Sequence, residues 1–543
     1  MKADLMISGG RIFCGLKEGF VEALAVRDGR IVSAGSVSDV AELAGPSTKR
    51  VDLAGRVAIP AFNDAHMHLL PLGVGMVEVN LRPEEGILSV DDVLSRVADA
   101  ARTKKPGEWV LGRGYDHNEF RGERRHPTAD ELDRVAPDNP VFIKRTCGHV
   151  AVANSLGLKA AGIGQNTLDP AGGLIERRNN KLTGLLAERA MLLVSDAIPR
   201  IPGSELVDAI ERAGKFMLSQ GFTGVMDAAV GQTGMVEVEA YEEAARTNRL
   251  PVRTWVCLYG DPGGVAEDAH AQGFHFGREV GLLRYGAMKI FTDGSAGGLT
   301  AAVSEPYLVG EPGNTGILVF KDEEAHGLLG RYHAQGYQLA IHAIGDTAIE
   351  QVLSGIEKAG TADKPIAGRR HRIEHCGFVT EDQLQRMKTA GIYPVPQPIF
   401  LYEFGDLYIE NLGPERSAAS YPMRRWLDDG LLPAASSDAP VSTTDPFKNL
   451  YTMVTRRSRR GTVLGEDQRL TMEEAVHCYT YCGAFSQFAE EDIGRLIPGQ
   501  LADIAILSHD IFACDPKVVE TEARCDMTIL GGEIVFERGT PAI

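Results

Sequence analysis

Ile59-Pro60-Ala61-Phe62-Asn63-Asp64-Ala65-His66-Met67-His68 opens as a short apolar run and closes on two histidines separated by one residue. In an extended strand side chains alternate with period two, so His66 and His68 project to the same side, where both imidazoles can grip one cation. Alone, a His-x-His pair in a chain with 14 histidines is weak evidence for a metal site. The same construction recurs four times: Met288-Lys289-Ile290-Phe291-Thr292-Asp293-Gly294, Ala340-Ile341-His342-Ala343-Ile344-Gly345-Asp346, Arg372-Ile373-Glu374-His375, and Ala434-Ala435-Ser436-Ser437-Asp438-Ala439-Pro440. Each joins an apolar run to a metal-competent side chain at its C-terminal end. In a parallel (β/α)8 barrel all strand ends open on one mouth, so residues hundreds of positions apart converge there.

Working outward from these runs, short apolar strands are expected at 224–226, 252–258, 288–291, 338–342, 371–374, 393–395 and 432–436. Helical segments at 204–220, 322–333 and 347–359 fall between them, the alternation that marks βα units around a parallel sheet. Residues 77–202 hold too few alternations for their length and are read as an insertion after the first barrel strand, placed over the mouth to shape substrate access. The first 60 residues are short strands cornered by Gly-Gly, Asp-Gly and Ala-Gly, and the style returns in the last 50, where ILGGEIVF echoes ISGGRIFC. The expected architecture is therefore α/β: a TIM-like barrel over 61–489 and a small β-sandwich domain built from both termini, 1–60 and 490–543.

Composition narrows the function. The 543 residues are 44% hydrophobic and 24% charged, enough for a large core. Lys plus Arg total 56 against 74 Asp plus Glu, a formal charge of -18, which argues against nucleic acid or an anionic membrane as partner. No run approaches the ~18 apolar residues of a membrane span and the start lacks a signal-peptide core, so a cytoplasmic location is expected. Eight scattered cysteines fit reduced thiols rather than a disulfide scaffold. Cys478 and Cys482, four apart on an expected helix, have no second pair nearby to complete a tetrahedral metal site.

The stretches PAFNDAHMHL, MKIFTDGS, IHAIGDTAI, RIEHCG and SSDAP, together with IGRLIPGQLADIAIL near the end, resemble the amidohydrolase superfamily, specifically the subgroup of N-substituted formamide deformylase and YtcJ-like proteins. The resemblance spans nearly the whole chain. It implies one or two divalent transition metals, Zn²⁺ first and Mn²⁺, Fe²⁺ or Ni²⁺ as alternatives, since His, Asp and a carboxylated Lys suit each of them. His66 and His68 would be ligands from the first strand, His342 and His375 ligands of a second metal, and Asp438 both ligand and proton shuttle. Lys289 would be carboxylated by carbon dioxide to an anionic ligand bridging two metals; the plainer reading is a lysine neutralised by Asp293 or Glu374. The implied chemistry is hydrolysis of a C–N bond, amide or formamide in type, in a small molecule by metal-activated water.

Further residues are candidates for substrate contact. His149, in Cys147-Gly148-His149, is expected to hydrogen-bond the substrate carbonyl and so to take part in catalysis, against an ordinary packing histidine. Asp293 and Ser295 follow Lys289 closely enough to line the mouth, and Tyr115 and His117 lie in a glycine-rich loop that approaches it. In TDGSAGGLTAA the glycines suggest a phosphate cradle, but no Gly-Lys-Ser/Thr follows. Arg369, Arg370 and Arg372 suit an acidic substrate group, or else a solvated helix-to-strand boundary. Two rival functions stand beside amide hydrolysis. One is opening of cyclic amides, carbamates or esters, or deamination, on the same centre; the other is a non-catalytic scaffold, which predicts lost ligands where all six are present. A homodimer is the family-based expectation of assembly.

Overall fold

The computed structural model describes residues 2–145, 150–170 and 173–539. Seven parallel strands run through the eight-stranded central sheet: β1 (Phe62–Met67), β2 (Phe222–Val230), β3 (Arg253–Tyr259), β4 (Leu283–Phe291), β5 (Gln338–Ala343), β6 (Arg372–His375) and β7 (Tyr393–Val395); the eighth, Glu279–Val280, pairs antiparallel with β4. The seven are hydrogen-bonded to one another in that order. β1, β2 and β5 are buried along their whole length, as strands covered on both faces must be.

The segment expected as a strand at 432–436 closes the ring without becoming a regular ladder. On the β7 side the Ala434 amide donates to Pro394 O at 3.3 Å; on the β1 side the Asp438 amide donates to His66 O at 2.8 Å and the His68 amide to Ala439 O at 2.7 Å. Between these bonds the Ser437 amide turns to the Asp64 carboxylate at 3.0 Å, and Asp438 adopts a left-handed φ of 57°. A donor diverted to a side chain and a left-handed residue interrupt the two-residue repeat that defines a strand.

Helices follow the strands where the 3.6-residue spacing places them. Gly203–Ser219, Asp322–Ala334 and Asp346–Ala359 occupy the three expected segments. The last buries Ala348, Ile349, Val352, Leu353 and Ile356, one apolar stripe at helical spacing. Inside the barrel Met226, Trp255, Cys257, Ala287 and Ala340 pack with Ala484, Ala489 and Ile493 into an apolar plug. The barrel is thus a filled core rather than a pore, and its polar strand ends have one open side.

Two further sheets draw on the ends of the chain. One orders Arg30–Gly35, Ala23–Arg27, Leu5–Ser8 and Lys49–Asp52; the other orders Glu533–Glu537, Cys525–Leu530, Ile504–Leu507, Val57–Pro60, Arg11–Gly15 and Gly19–Val21. Leu5 and Ile7 point into a core shared with Ile12, Leu24, Val26, Ile504, Ile506 and Ile529, while Met6 faces a separate cluster with Ala23, Ala25 and Val40. That split is the alternation of a strand with both faces covered.

The chain divides into two compact units, Gly73–Glu205 and the remainder. The Gly73–Glu205 unit, which shows few strand–helix alternations in sequence, has its own mixed sheet in the order Gly173–Arg178, Lys181–Glu188, Val150–Ala153, Val141–Arg145, Val110–Tyr115, Val79–Asn80. The amphipathic helix Val90–Thr103, capped by Ser89, buries Val93 and Val97 in a core with Val110, Val141 and Ile143. Among the described residues no helix is long and apolar enough to cross a membrane, and Cys14, Cys257, Cys376, Cys478, Cys482, Cys514 and Cys525 are free thiols.

Candidate metal centre

β1 delivers His66 and His68 to one side, their rings 5.6 Å apart and perpendicular. Both Nε2 atoms converge on Asp438 Oδ1, at 3.4 Å from His66 and 3.1 Å from His68. Among the described residues these three are the one trio of His, Cys, Asp or Glu whose ligand atoms all lie within 4.8 Å of one another. The opposite ring nitrogens are held from behind. His66 Nδ1 rests on Glu374 Oε2 in a very short contact, and Glu374 is clamped by Arg372 Nε at 2.6 Å and Nη2 at 2.8 Å, with all three side chains buried. His68 Nδ1 faces Asp227 Oδ1 at 4.0 Å, and Asp227 itself accepts from the Leu70 amide at 2.9 Å and the Tyr241 hydroxyl.

β5 and β6 bring a second pair. The ring of His375 lies 4.3 Å from that of His342 and 4.9 Å from that of His66. Gln397 Oε1 accepts from His375 Nδ1 at 2.5 Å, and Phe400 stacks on the same ring. His342 Nε2 donates to Gly294 O at 3.1 Å, which leaves Nδ1 buried and, among the described residues, unpaired. β4 places Lys289 fully buried among them, Nζ 3.4 Å from His66 Nε2 and 4.7 Å from the Phe291 ring centroid.

Electrostatics suit a cation. Burial, together with the Lys289 ammonium, lowers the His66 pKa, and burial beside His342 takes His375 well below the usual imidazole value, so both rings are neutral with a lone pair to give. Burial also lowers the Lys289 pKa against the opposing pull of Glu374 and Asp438. Burial alone would raise Asp438, but its contacts with His66 and His68 prevail and hold it well below the ordinary carboxylate range. His375 and Asp438 have left-handed φ values of 68° and 57°, a conformation that costs an L-residue about 1–2 kcal/mol. Such strain at two converging side chains is characteristic of a working site. The donor set fits one or two divalent cations, because among the described residues His342 Nδ1 and Asp438 Oδ1 are buried polar atoms with no hydrogen-bond partner.

Each remaining candidate among the described residues has partners of its own. Asp293 spends its carboxylate on three amides, Ala302 at 2.9 Å, Ile344 at 3.0 Å and Gly345 at 2.9 Å, with Oδ1 3.3 Å from His342 Nε2. It clamps the loop that holds His342. Ser295 is exposed, its hydroxyl accepting from the Gly298 amide of its own turn at 3.1 Å. Tyr115 and His117 lie in the Gly73–Glu205 unit: the Tyr115 hydroxyl meets His126 Nδ1 at 2.9 Å, and His117 Nδ1 accepts from Arg145 at 3.2 Å. His149 and Cys147 lie outside the described residues.

Of the two simple partners expected for Lys289, Asp293 accepts from backbone amides, whereas Glu374, clamped by Arg372, still acts on Lys289 through its charge. The arginine cluster is structural: Arg370 pairs with Glu490, Arg369 donates to Gly336 O and Arg372 is buried on Glu374. Cys478 and Cys482 sit on two successive helices, Met472–Cys478 and Tyr481–Ser486, rather than on one. Glu374, Asp227 and Gln397 are the supporting residues that sequence reading left without this role. All three sit at or just beyond the C-terminal half of a strand, which is the signal that could have found them.

Known proteins resemble this chain along most of its length. The profile described as the amidohydrolase family matches residues 49–536. YtcJ of Bacillus subtilis strain 168 is 33% identical over 538 residues, covering 98% of this chain and 99% of the relative. The N-substituted formamide deformylase of Arthrobacter pascens is 30% identical over 555 residues, 98% of each chain. A solved structure described as an uncharacterized metal-dependent hydrolase from Pyrococcus horikoshii is similar with a TM-score of 0.77 at 29% identity, covering 94% of this chain and 99% of that one. With a family match across most of its length and near full-length relatives above the level of chance likeness, the chain belongs to the amidohydrolase family.

Proposed function

We propose that this protein is a metal-dependent hydrolase that cleaves an acyclic C–N bond, amide or formamide in type, in a small molecule. One observation carries the reading: the outer nitrogens of His66, His342 and His375 are bound from behind, while the Nε2 atoms of His66 and His68 converge on Asp438 Oδ1 and His342 Nδ1 is buried without a partner among the described residues. His66, His68 and Asp438 would hold one divalent cation and His342 and His375 a second, with Lys289 between them. Zn²⁺ is the first candidate, followed by Mn²⁺, Fe²⁺ and Ni²⁺. Such cations supply Lewis acidity, lowering the pKa of water and polarising a carbonyl.

The chain's own residues do the rest. Asp438, its carboxyl held well below the ordinary carboxylate range, accepts the proton of the attacking water and returns it to the leaving nitrogen, which departs poorly as an amide anion. Burial of Lys289 favours the neutral amine that carbon dioxide needs for carboxylation. His149 is assigned to the substrate carbonyl. The preference for an acyclic C–N bond rests on similarity to the Arthrobacter deformylase. A cytoplasmic homodimer remains part of the proposal.

The test is elemental analysis of the purified protein together with activity before and after chelation, on formamides, N-acyl amines, cyclic amides, carbamates and aminated bases. One to two transition metals per chain and chelation-sensitive cleavage of the first two groups is the expected result. Cleavage confined to the later groups would replace the substrate assignment, and absence of metal-dependent activity after loading with Zn²⁺ or Mn²⁺ and bicarbonate would favour a scaffold.

A further inference from the structure

Among the four histidines of the centre, His66 is the one whose outer nitrogen lies directly on a carboxylate that is itself paired with a guanidinium. Arg372 and Glu374 are both fully buried. Arg372 Nη2 also donates to the carbonyl of Ala65, immediately before His66, at 2.8 Å, and Nη1 reaches the Ser486 hydroxyl at 3.4 Å. The pair therefore grips the first ligand twice, once by its ring and once by its backbone. A closed, buried ion pair adds little net stability over apolar residues of the same volume, because desolvation offsets its attraction. Stability alone does not account for it.

Hydrogen-bond valence supplies the account. An ionised Glu374 only accepts, so the proton of a neutral His66 ring must sit on Nδ1. The Nε2 lone pair is then directed at Asp438 and Lys289. We propose that Arg372 and Glu374 are a positioning pair that fixes His66 in the tautomer able to ligate a divalent cation and makes it a stronger donor. The inference rests on the metal-centre reading above. Arg372 acts at one remove: it keeps Glu374 ionised and oriented, and without it the carboxylate loses its directly hydrogen-bonded counter-charge.

Zinc affinity of the full chain, measured by competition with a chromophoric chelator, tests the pair. Glu374→Gln keeps the volume and one acceptor but removes the charge, and should weaken zinc binding about 10- to 100-fold. Because that variant leaves Arg372 without a counter-ion, Arg372→Met with Glu374→Gln is measured beside it; it carries no lone buried charge and should show the same loss of affinity with wild-type secondary structure. Wild-type affinity in a folded double variant would overturn the proposal. A second readout is taken on the wild-type fold: ¹⁵N-imidazole NMR of metal-stripped wild type, with the His66 signal assigned by its absence from His66→Gln, should show Nδ1 protonated and Nε2 bare. A proton on Nε2 would overturn the pair even if zinc binds, whereas a wild-type chain that binds no zinc would remove the metal-centre reading itself.

Discussion

At the start of β5, away from the metal centre, the amide of Leu339 donates to His371 Nδ1 at 3.0 Å. That fixes the His371 proton on Nε2, which donates to His333 Nδ1 at 2.9 Å, and His333 Nε2 in turn donates to Lys364 O at 2.9 Å. Every ring nitrogen is used, and the chain works only with both rings neutral. Burial, aided by His333 and Arg369, takes the His371 pKa from 6.5 to about 3. The unfolded chain therefore binds a proton that the folded one refuses. Stability is complete above the unfolded pKa and falls as pH drops below it, approaching about 1.4 kcal/mol per unit, or ~2.3 kcal/mol between about pH 6.5 and about pH 4.5.

His371→Asn places a carbonyl where Nδ1 accepts the Leu339 amide and does not titrate. The variant should be weaker than wild type near neutrality, yet lose about one proton's worth less stability on acidification. Urea unfolding of both proteins at matched metal concentration reads the difference of slopes, in which the metal ligands cancel because His371 is not among them. Equal slopes in the two proteins would refute the buried neutral pair.

Three other changes address the metal centre and its frame. Asp438→Asn should retain most bound metal by elemental analysis and lose about 10²- to 10⁴-fold in turnover, as expected for a lost proton shuttle; unchanged turnover would reject that role. Lys289→Ala should lower metal content and recover part of its activity with small carboxylates in bicarbonate-free buffer, while full metal retention would exclude a bridging ligand. Gly345→Ala puts a Cβ 1.8 Å from Ala302 O, at the loop that Asp293 clamps beside His342. Overpacking of this kind costs about 1–3 kcal/mol, and thermal midpoint and metal content should fall together; an unchanged midpoint would show that the loop yields freely.

Much of the site was legible because strand ends carry their own signature. His66 with His68, Lys289, His342, His375 and Asp438 each close an apolar run, and the parallel topology turns chain order into spatial convergence. Ser295 stands in the same sequence neighbourhood as Lys289, but its turn folds the hydroxyl back on Gly298, a choice that depends on local backbone geometry rather than residue type. The closing segment at 434–438 reads as a strand from its apolar residues, yet Asp64 captures the Ser437 amide across 373 positions of sequence.

By itself the sequence determined the period of each element, hence the barrel, and the identity of the residues at its strand ends, since both depend on local alternation of apolar and polar side chains. Only the tertiary structure decided which ring nitrogen of each histidine turns inward. That depends on partners such as Glu374, 308 positions from His66, and Gln397, 22 from His375, which no local pattern pairs with them. It also decided that Arg372 is sealed in the barrel rather than solvated, because burial is a property of the packed neighbours and not of the residue.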